Sequence, residues 1–247
     1  PHAAVEVTGG AFETGAGFFG QIPIGPSQRI DYEAYAINGF DTKIYDGIGM
    51  RAARGSLAED NNTNKALVGR AAWTPILGLT VAGSGYRGAY DPASERFVHL
   101  ASFDLRARRR WLEFQGEATR AWVDPGFDEG WPSATRAPLP EAMFGFYGQI
   151  NAHFFPAWLT RAMPEDLKAS IFTASLRYEE VDTDKGVVSQ GDQTRIITGL
   201  NYRPIEAFVF KNELLIDSNG ASGALARPWS SGYEPALGYV ASANLLF

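Results

Sequence analysis

Cysteine is absent from the 247-residue chain, and no apolar run approaches the roughly 18 to 20 residues that an α-helical membrane span requires. Without thiols the chain has neither a disulfide scaffold nor a cysteine-ligated zinc or iron–sulfur site. Positive charge is scarce, since 22 Lys and Arg stand against 28 Asp and Glu, and the net charge of −6 argues against a nucleic-acid partner. These absences exclude helical membrane proteins, disulfide scaffolds and nucleic-acid-binding domains.

Aromatic residues and glycine are abundant instead, with 16 Phe, 10 Tyr, 6 Trp and 27 Gly, which excludes a disordered chain. A hydrophobic content of 45% remains compatible with a transmembrane β-barrel. Such a barrel places its apolar side chains at alternate positions of strands about 9 to 11 residues long, so its mean hydropathy stays near neutral. The periodicity of the sequence therefore decides between the remaining classes.

Alternation with a period of two recurs along most of the chain and predicts about 11 β-strands. In 142–155, Phe144, Phe146 and Ile150 lie on one face, whereas Gln149 and Asn151 lie on the other. The predicted strands span 12–23, 29–38, 65–75, 78–88, 96–108, 109–123, 142–155, 167–180, 193–203, 205–217 and 233–247.

The links between these strands alternate in length. Links at 24–28, 76–77, 108–109 and 204 are short, whereas 39–64, 124–141 and 218–231 are long, and 156–166 is the one oversized turn. Outer-membrane barrels have short periplasmic turns and longer extracellular loops. The sequence thus predicts an all-β fold, an antiparallel transmembrane β-barrel, with 1–247 forming a single domain.

The last predicted strand carries an assembly signal in this interpretation. Tyr239, Leu245 and Phe247 lie on one face of a strand that ends in an aromatic carboxylate. This ending resembles the terminal signature that the barrel assembly machinery of bacteria recognises; the alternative is an ordinary edge strand ending in Phe. Because bacterial barrels have an even number of strands with both ends periplasmic, 11 strands lead us to expect an odd number of strands before residue 1.

Several phrases together resemble the phosphate-selective porin O and P family. They are GAGFFGQIPIG at 15–25, YEAYAINGF at 32–40, DNNTNKALVGRAAWTPILGLTVAGSGYRG at 60–88, YEEVDTD at 178–184 and GDQTRIITGLNYRPIEAFVFKNELL at 191–215. The resemblance covers nearly the whole chain in order. It implies the C-terminal two-thirds of a barrel of about 16 strands, usually a homotrimer, through which small solutes diffuse.

Charged side chains predicted to face the barrel interior are balanced in sign, eight against eight. The basic ones are Arg29, Arg70, Arg106, Arg108, Arg177, Arg195, Arg203 and Lys211, and the acidic ones are Asp31, Glu33, Asp104, Glu113, Glu117, Glu179, Glu213 and Asp217. As pore-lining residues we select Arg70, Arg106, Glu113, Glu117, Arg177, Arg195, Lys211 and Glu213. Anion selectivity requires an excess of positive charge, so this wall predicts weak ion preference rather than phosphate specificity. The alternative for each charge is a salt-bridged ladder that only stabilises the wall.

Other chemistry finds little support. His2, His99 and His153 lack metal-ligand spacing, and although His153 could face Ser175 across neighbouring strands, we assign no catalytic residue, metal or cofactor. Aromatic girdles are expected at both membrane interfaces. Their members would be Trp73, Phe154, Tyr202 and Phe247 at the periplasmic side and Trp122, Phe144 and Tyr178 at the extracellular side.

The sequence thus favours an outer-membrane porin for passive diffusion of small hydrophilic solutes or ions. Expected partners are outer-membrane lipid and lipopolysaccharide, the barrel assembly machinery, two further copies in a homotrimer, and possible envelope-complex proteins. The first alternative is a structural or partner-binding barrel whose lumen is plugged by a long loop such as 39–64. A soluble β-sandwich or lipocalin-like binder comes third, and an enzyme last.

Overall fold

The computed structural model describes residues 14–44, 50, 53, 64–126, 139–186, 192–219 and 236–245. These residues form one antiparallel sheet of 11 strands in which each strand pairs with the next along the chain. The strands are β1 (Gly15–Pro23), β2 (Arg29–Ile37), β3 (Ala66–Ile76), β4 (Leu79–Ala89), β5 (Phe97–Arg109), β6 (Leu112–Val123), β7 (Ala142–Phe154), β8 (Ile171–Asp182), β9 (Gln193–Ile205), β10 (Phe208–Asn219) and β11 (Ala236–Leu245). The predicted all-β class and the predicted 11 strands are confirmed.

The strand register keeps the alternation of every strand in phase with that of its neighbours. Asp104 lies opposite Glu117, Glu117 opposite Tyr147, and Tyr147 opposite Glu179. Because a slip of one residue would move every side chain to the other side of the sheet, this register sorts the residues into two faces. We call the side that carries Asp104, Glu117, Tyr147 and Glu179 the polar face.

The opposite side, which we call the apolar face, presents large hydrophobic side chains to the surroundings. Phe103, Ile150, Leu176, Leu200 and Leu237 all lie on it and are exposed. Extensive exposed apolar area is rare on soluble monomers and marks a surface that meets a partner or a membrane.

Short and long links lie at opposite ends of the sheet. Links 24–28, 77–78, 110–111 and 206–207 join strands at what we call the turn end. The opposite end of the sheet, which we call the loop end, has the longer links, from 38 to 65, 90 to 96, 124 to 141 and 183 to 192. The predicted alternation of link lengths is confirmed for these links.

Two predicted turns and one strand start are wrong by a few residues. The turn predicted at 108–109 lies at 110–111, where Arg110 adopts a positive φ of 55° after Arg109 has paired with Leu112. The turn predicted at 204 lies at 206–207, since the ladder continues through Pro204 until Ile205 pairs with Phe208. β8 begins at Ile171 rather than 167 because the chain first forms a short helix.

The oversized turn after β7 contains the short helix α1 (Ala157–Ala162) and a 3₁₀ turn (Glu165–Leu167). Ser170 then fixes the entry into β8, as its hydroxyl donates to the carbonyl oxygens of Leu167 at 2.5 Å and Pro204 at 3.1 Å. In the part of the chain that the structure describes, no helix has the length and hydropathy to cross a membrane.

The main buried cluster lies at the loop end, against the polar face. Phe40, Ile44, Met50 and Ala53 pack there on polar-face side chains of the strands. Those strand residues are Ala66, Tyr86, Val98, Ala121, Val123, Met143 and Val181. Among the described residues, this cluster covers the loop end of the polar face and does not extend to the turn end.

Candidate functional site

All eight predicted pore-lining residues lie on the polar face. The register aligns Arg70 with Ser84 and Ser102 and aligns Arg195 with Glu179 and Asp217. The same alternation places the rest of the set on this face: Arg106, Glu113, Glu117, Arg177, Lys211 and Glu213. Their role as a pore lining stays a prediction, but their common placement defines the candidate site.

At the centre of the polar face, Arg70 on β3 reaches across β4 to Asp104 on β5. The guanidinium contacts both carboxylate oxygens, with Nη2 donating to Oδ1 at 3.0 Å, and Nη1 also donates to the Ser84 hydroxyl at 3.4 Å. The small side chain of Ser84 leaves room for this reach. Glu33 and Glu117 flank the pair on β2 and β6, so one guanidinium has three carboxylates around it.

Further along the sheet, Arg177 holds three groups of the polar face together. Its Nε donates to Gln149 Oε1 at 2.6 Å, its Nη1 donates to Glu179 Oε1 at 3.0 Å, and its Cζ lies 5.1 Å from the centroid of the Tyr147 ring. The Glu179 side chain is only 1% exposed. A buried carboxylate requires such a partner, because desolvation otherwise penalises its charge.

Arg195 on β9 and Asp217 on β10 form a bidentate ion pair. Nε donates to Oδ1 at 2.5 Å and Nη2 donates to Oδ2 at 2.9 Å. Both side chains are largely buried, at 14% and 8% exposure. This fork geometry is the strongest form of arginine–carboxylate pairing.

A second cluster surrounds Glu113 near the turn end. Arg106 Nε donates to Glu113 Oε1 at 2.9 Å, and His153 Nε2 lies 3.2 Å from Oε2. The other imidazole nitrogen lies 3.0 Å from the Thr173 hydroxyl. The register pairs His153 with Thr173 and Ser175 with Asn151. His153 therefore does not face Ser175, the arrangement that the sequence left possible.

The remaining site predictions fall near the edge of the sheet. Lys211 and Glu213 are on β10, and neither forms an ion pair within the described residues. Tyr239 and Leu245 lie on the apolar face of β11, and the Tyr239 hydroxyl donates to Asn212 Oδ1 at 2.8 Å. Phe247, the third member of the predicted assembly signal, lies outside the described residues.

The segment after β2 folds over the polar face at the loop end. The Phe40 backbone N–H donates to the Tyr86 hydroxyl at 3.2 Å, and the two rings lie 5.0 Å apart. The Asp41 N–H donates to the Ala53 carbonyl at 2.7 Å, which returns the chain onto itself. A cavity of about 420 Å³ remains beside this segment, lined by Tyr35, Phe40, Tyr86 and Ser102 among others.

Two groups near this end have shifted pKa values. Partial burial raises the pKa of the Asp41 carboxyl, but hydrogen bonds from Thr42 and Lys43 outweigh burial, so the pKa lies below its usual value. Burial raises the pKa of the Tyr90 phenol, whose hydroxyl donates to the Asp124 carbonyl at 2.9 Å. Both groups therefore keep their ordinary charge at neutral pH, Asp41 ionised and Tyr90 neutral.

Aromatic side chains form a row near each end of the apolar face. At the turn end, ring centroids are 5.9 Å apart from Phe154 to Phe172, 4.6 Å from Phe172 to Tyr202 and 6.5 Å from Tyr202 to Phe210. Toward the loop end, Phe146 lies 5.9 Å from Phe144 and 5.8 Å from Tyr178, and Trp122 lies nearby on β6. Trp73 lies near the turn end of β3; that these rows are membrane-interface girdles stays a prediction.

Sequence reasoning missed the contact between Glu113 and His153, although alternation places both on the polar face. It also missed Phe40, Ile44 and Met50 as packing residues, since a loop offers no periodicity to read. Within the described residues, no group of three or more metal-ligating side chains is placed to hold a metal ion.

Comparison with known proteins adds no assignment. No protein-family model matches the chain, and no curated protein matches it either. The two faces of the sheet and the side chains on them are therefore the grounds for a functional proposal.

Proposed function

We propose that the chain is the wall of an outer-membrane porin, through which small hydrophilic solutes and ions diffuse passively. The observation that carries this proposal is the division of one sheet into an exposed apolar face and a face with ionised side chains. A membrane barrel requires this division, because its outside meets hydrocarbon and its inside meets water.

The spacing of the two aromatic rows supports a bilayer as the surroundings. Phe144 and Phe154 lie ten residues apart on β7. At about 3.4 Å per residue and a strand tilt of about 35–45°, this separation corresponds to roughly 24–28 Å across the membrane. The apolar band of outer-membrane barrels is about 25 Å high, and aromatic rings prefer its two borders.

The barrel in this proposal includes more strands than the 11 described. β1 and β11 each have one neighbour in the described sheet, and their free backbone groups would be costly in lipid. They run in the same direction, so antiparallel closure requires an odd number of further strands between them. A total of about 16 strands satisfies this parity and agrees with what the resemblance to the phosphate-selective porin O and P family implies.

Transport in this proposal is partitioning and diffusion without covalent chemistry, and the protein is not an enzyme. Arg70, Arg177 and Arg195 each have a carboxylate partner, so none presents an isolated positive charge to a passing anion. We therefore expect K⁺ and Cl⁻ to permeate at similar rates, with no phosphate specificity.

A structural or partner-binding barrel is the second candidate, and the segment after β2 favours it. Phe40, Ile44, Met50 and Ala53 place apolar bulk over the loop end of the polar face. In this candidate function, the packing obstructs the lumen and solutes do not pass. The barrel instead anchors an envelope assembly.

Planar-bilayer recording separates the two candidates. The porin proposal predicts stepwise conductance from protein whose heat-modifiable gel mobility shows a folded barrel. Folded protein that leaves the bilayer silent would support the scaffold, and protein that does not enter membranes would contradict both. A salt gradient in the same recording gives the ion preference from the reversal potential.

A further inference from the structure

Three arginines of the described strands interrupt the apolar face; Arg109 lies at the turn end, whereas Arg87 and Arg120 lie toward the loop end. Arg87 on β4 is opposite His99 on β5, and His99 is opposite Trp122 on β6, two residues from Arg120. Arg87, His99 and Arg120 therefore form a cluster over three adjacent strands, which we call the outer basic patch. Arg87 and Arg120 are both exposed.

Aromatic rings hold both guanidinium groups at the surface of this patch. The Arg87 Cζ lies 4.1 Å from the centroid of the Phe97 ring, and the Arg120 Cζ lies 5.2 Å from that of Trp122. A guanidinium stacked on a ring keeps its N–H donors at the edges, where they can reach an anion.

No carboxylate of the described residues forms an ion pair with either arginine. Among the described residues, the acidic side chains near this end of the apolar face are Glu180 and Asp182 on β8 and Asp124 directly after β6, whose Oδ2 accepts a hydrogen bond from the Phe97 N–H at 2.8 Å. Asp182 pairs with Lys185 at 2.7 Å, and Glu180 accepts a hydrogen bond from the Tyr178 hydroxyl at 3.1 Å. Within the described chain, neither arginine of the outer basic patch thus has a carboxylate in direct contact.

We infer that the outer basic patch binds the phosphate group of a membrane lipid whose headgroup lies at the loop end of the sheet. The inference rests on the proposed membrane location of the apolar face. An arginine on a lipid-facing surface is tolerated near the interface, where anionic headgroups can neutralise it. Phosphate oxygens accept hydrogen bonds from guanidinium groups in a two-pronged geometry, so a lipid phosphate matches both the charge and the donors.

A groove beside the patch offers space for the acyl chain of the same lipid. Its volume is about 670 Å³, and Arg87 and His99 contribute to its lining together with Leu67 and Phe18, which lie on the same face. Small side chains between them, such as Ala34 and Gly69, leave the groove open. The patch and the groove together fit an amphiphile with an anionic head and an apolar tail.

The test is lipid binding to the folded protein in a neutral detergent, measured by native mass spectrometry with phosphatidic acid as the probe. We expect the double variant R87Q/R120Q to bind phosphatidic acid about 30-fold more weakly, because each arginine near an anionic headgroup contributes several-fold to affinity. Phosphatidylcholine, whose phosphate carries a neutralising choline, should bind the wild-type protein weakly. Arg161→Gln on α1 is the matched control, since it removes an exposed arginine at the turn end.

Three results would overturn the inference. They are unchanged binding by the folded R87Q/R120Q variant, equal binding of phosphatidylcholine, or displacement of the lipid by millimolar inorganic phosphate, which would indicate a free-ion site. Conductance recorded on the same preparations separates this failure from that of the porin proposal. Folded protein that binds phosphatidic acid but shows no conductance would contradict only the porin proposal. Protein that conducts but does not bind phosphatidic acid would contradict only the lipid-binding inference.

Discussion

Glu113 shows how a single residue of the polar face depends on its neighbours. Its side chain is 6% exposed, and its two oxygens contact Arg106 and His153. The Arg106 side chain is 62% exposed, so water screens part of the pair. The buried carboxylate nevertheless needs the guanidinium, because His153 compensates its charge only when protonated.

Replacing Arg106 with Met should therefore destabilise the folded sheet. We expect the free energy of unfolding to fall by about 2 kcal/mol, less than the roughly 3–5 kcal/mol of a fully buried pair because the guanidinium is exposed. Urea unfolding in lipid vesicles, followed by tryptophan fluorescence, measures the change. Arg203→Met, an exposed polar-face arginine without an ion pair in the described residues, is the control, and an equal loss in both variants would contradict the account.

Gly78 allows a sharp comparison with Gly25, because both lie in short links at the turn end. Gly78 has a φ of 89°, and a Cβ there would lie 2.4 Å from the Arg108 carbonyl oxygen. A Cβ on Gly25 meets nothing within 4 Å. Gly78→Ala should lower the unfolding free energy by about 1–3 kcal/mol, whereas Gly25→Ala should change it by less than about 1 kcal/mol. Equal urea midpoints for the two variants would show that the turn is not constrained as described.

At the scale of the strands, alternation in the sequence predicted most of what the sheet shows. It placed the side chains of β7 and β8 on their faces, because the period of two follows from backbone geometry alone. It did not predict that Arg106 pairs with Glu113 rather than with its direct neighbour Gln115, since side-chain reach decides that choice. The alternation also did not predict the outer basic patch, because a single charged residue on an apolar face only interrupts the periodic pattern and indicates no function by itself.

β8 offers a test of the two faces. Because the chain has no cysteine, a single introduced cysteine is its only thiol that a reagent can label. In lipid vesicles, a polar thiol reagent given access to both sides of the membrane should modify Thr173→Cys and Ser175→Cys. The same reagent should spare Ala174→Cys and Leu176→Cys, whose side chains lie on the apolar face. Mass spectrometry measures the labelling, and denaturation in detergent should then expose all four thiols. Equal labelling in vesicles would contradict a lipid-facing sheet and favour a soluble one.

At the scale of the whole molecule, the sequence predicted the fold class and the common face of the charged residues. It left open whether the segment after β2 folds inward, because the burial of Phe40, Ile44 and Met50 is decided by tertiary packing and not by local pattern. That packing determines how much of the loop end of the polar face stays accessible.

Removing the Phe40 ring should loosen this segment from the wall. The side chain is 3% exposed, and a Phe→Ala change in a core costs about 3–5 kcal/mol, enough to free a short segment. We expect Phe40→Ala to raise single-channel conductance, or to create conductance if the wild-type barrel is silent. Phe18→Ala, on the apolar face of β1, is the control and should leave conductance unchanged. Unchanged conductance in folded Phe40→Ala would show that the segment does not restrict the lumen.

The most direct test of the porin proposal is single-channel recording of Ser102→Cys and Phe103→Cys, neighbours on β5 that face opposite sides. We expect stepwise conductance from both variants. A bulky charged thiol reagent should then reduce the conductance of Ser102→Cys, whose side chain lies on the polar face, and leave Phe103→Cys unaffected. Silence from folded protein, or a block of Phe103→Cys without a block of Ser102→Cys, would contradict a water-filled lumen bounded by the polar face.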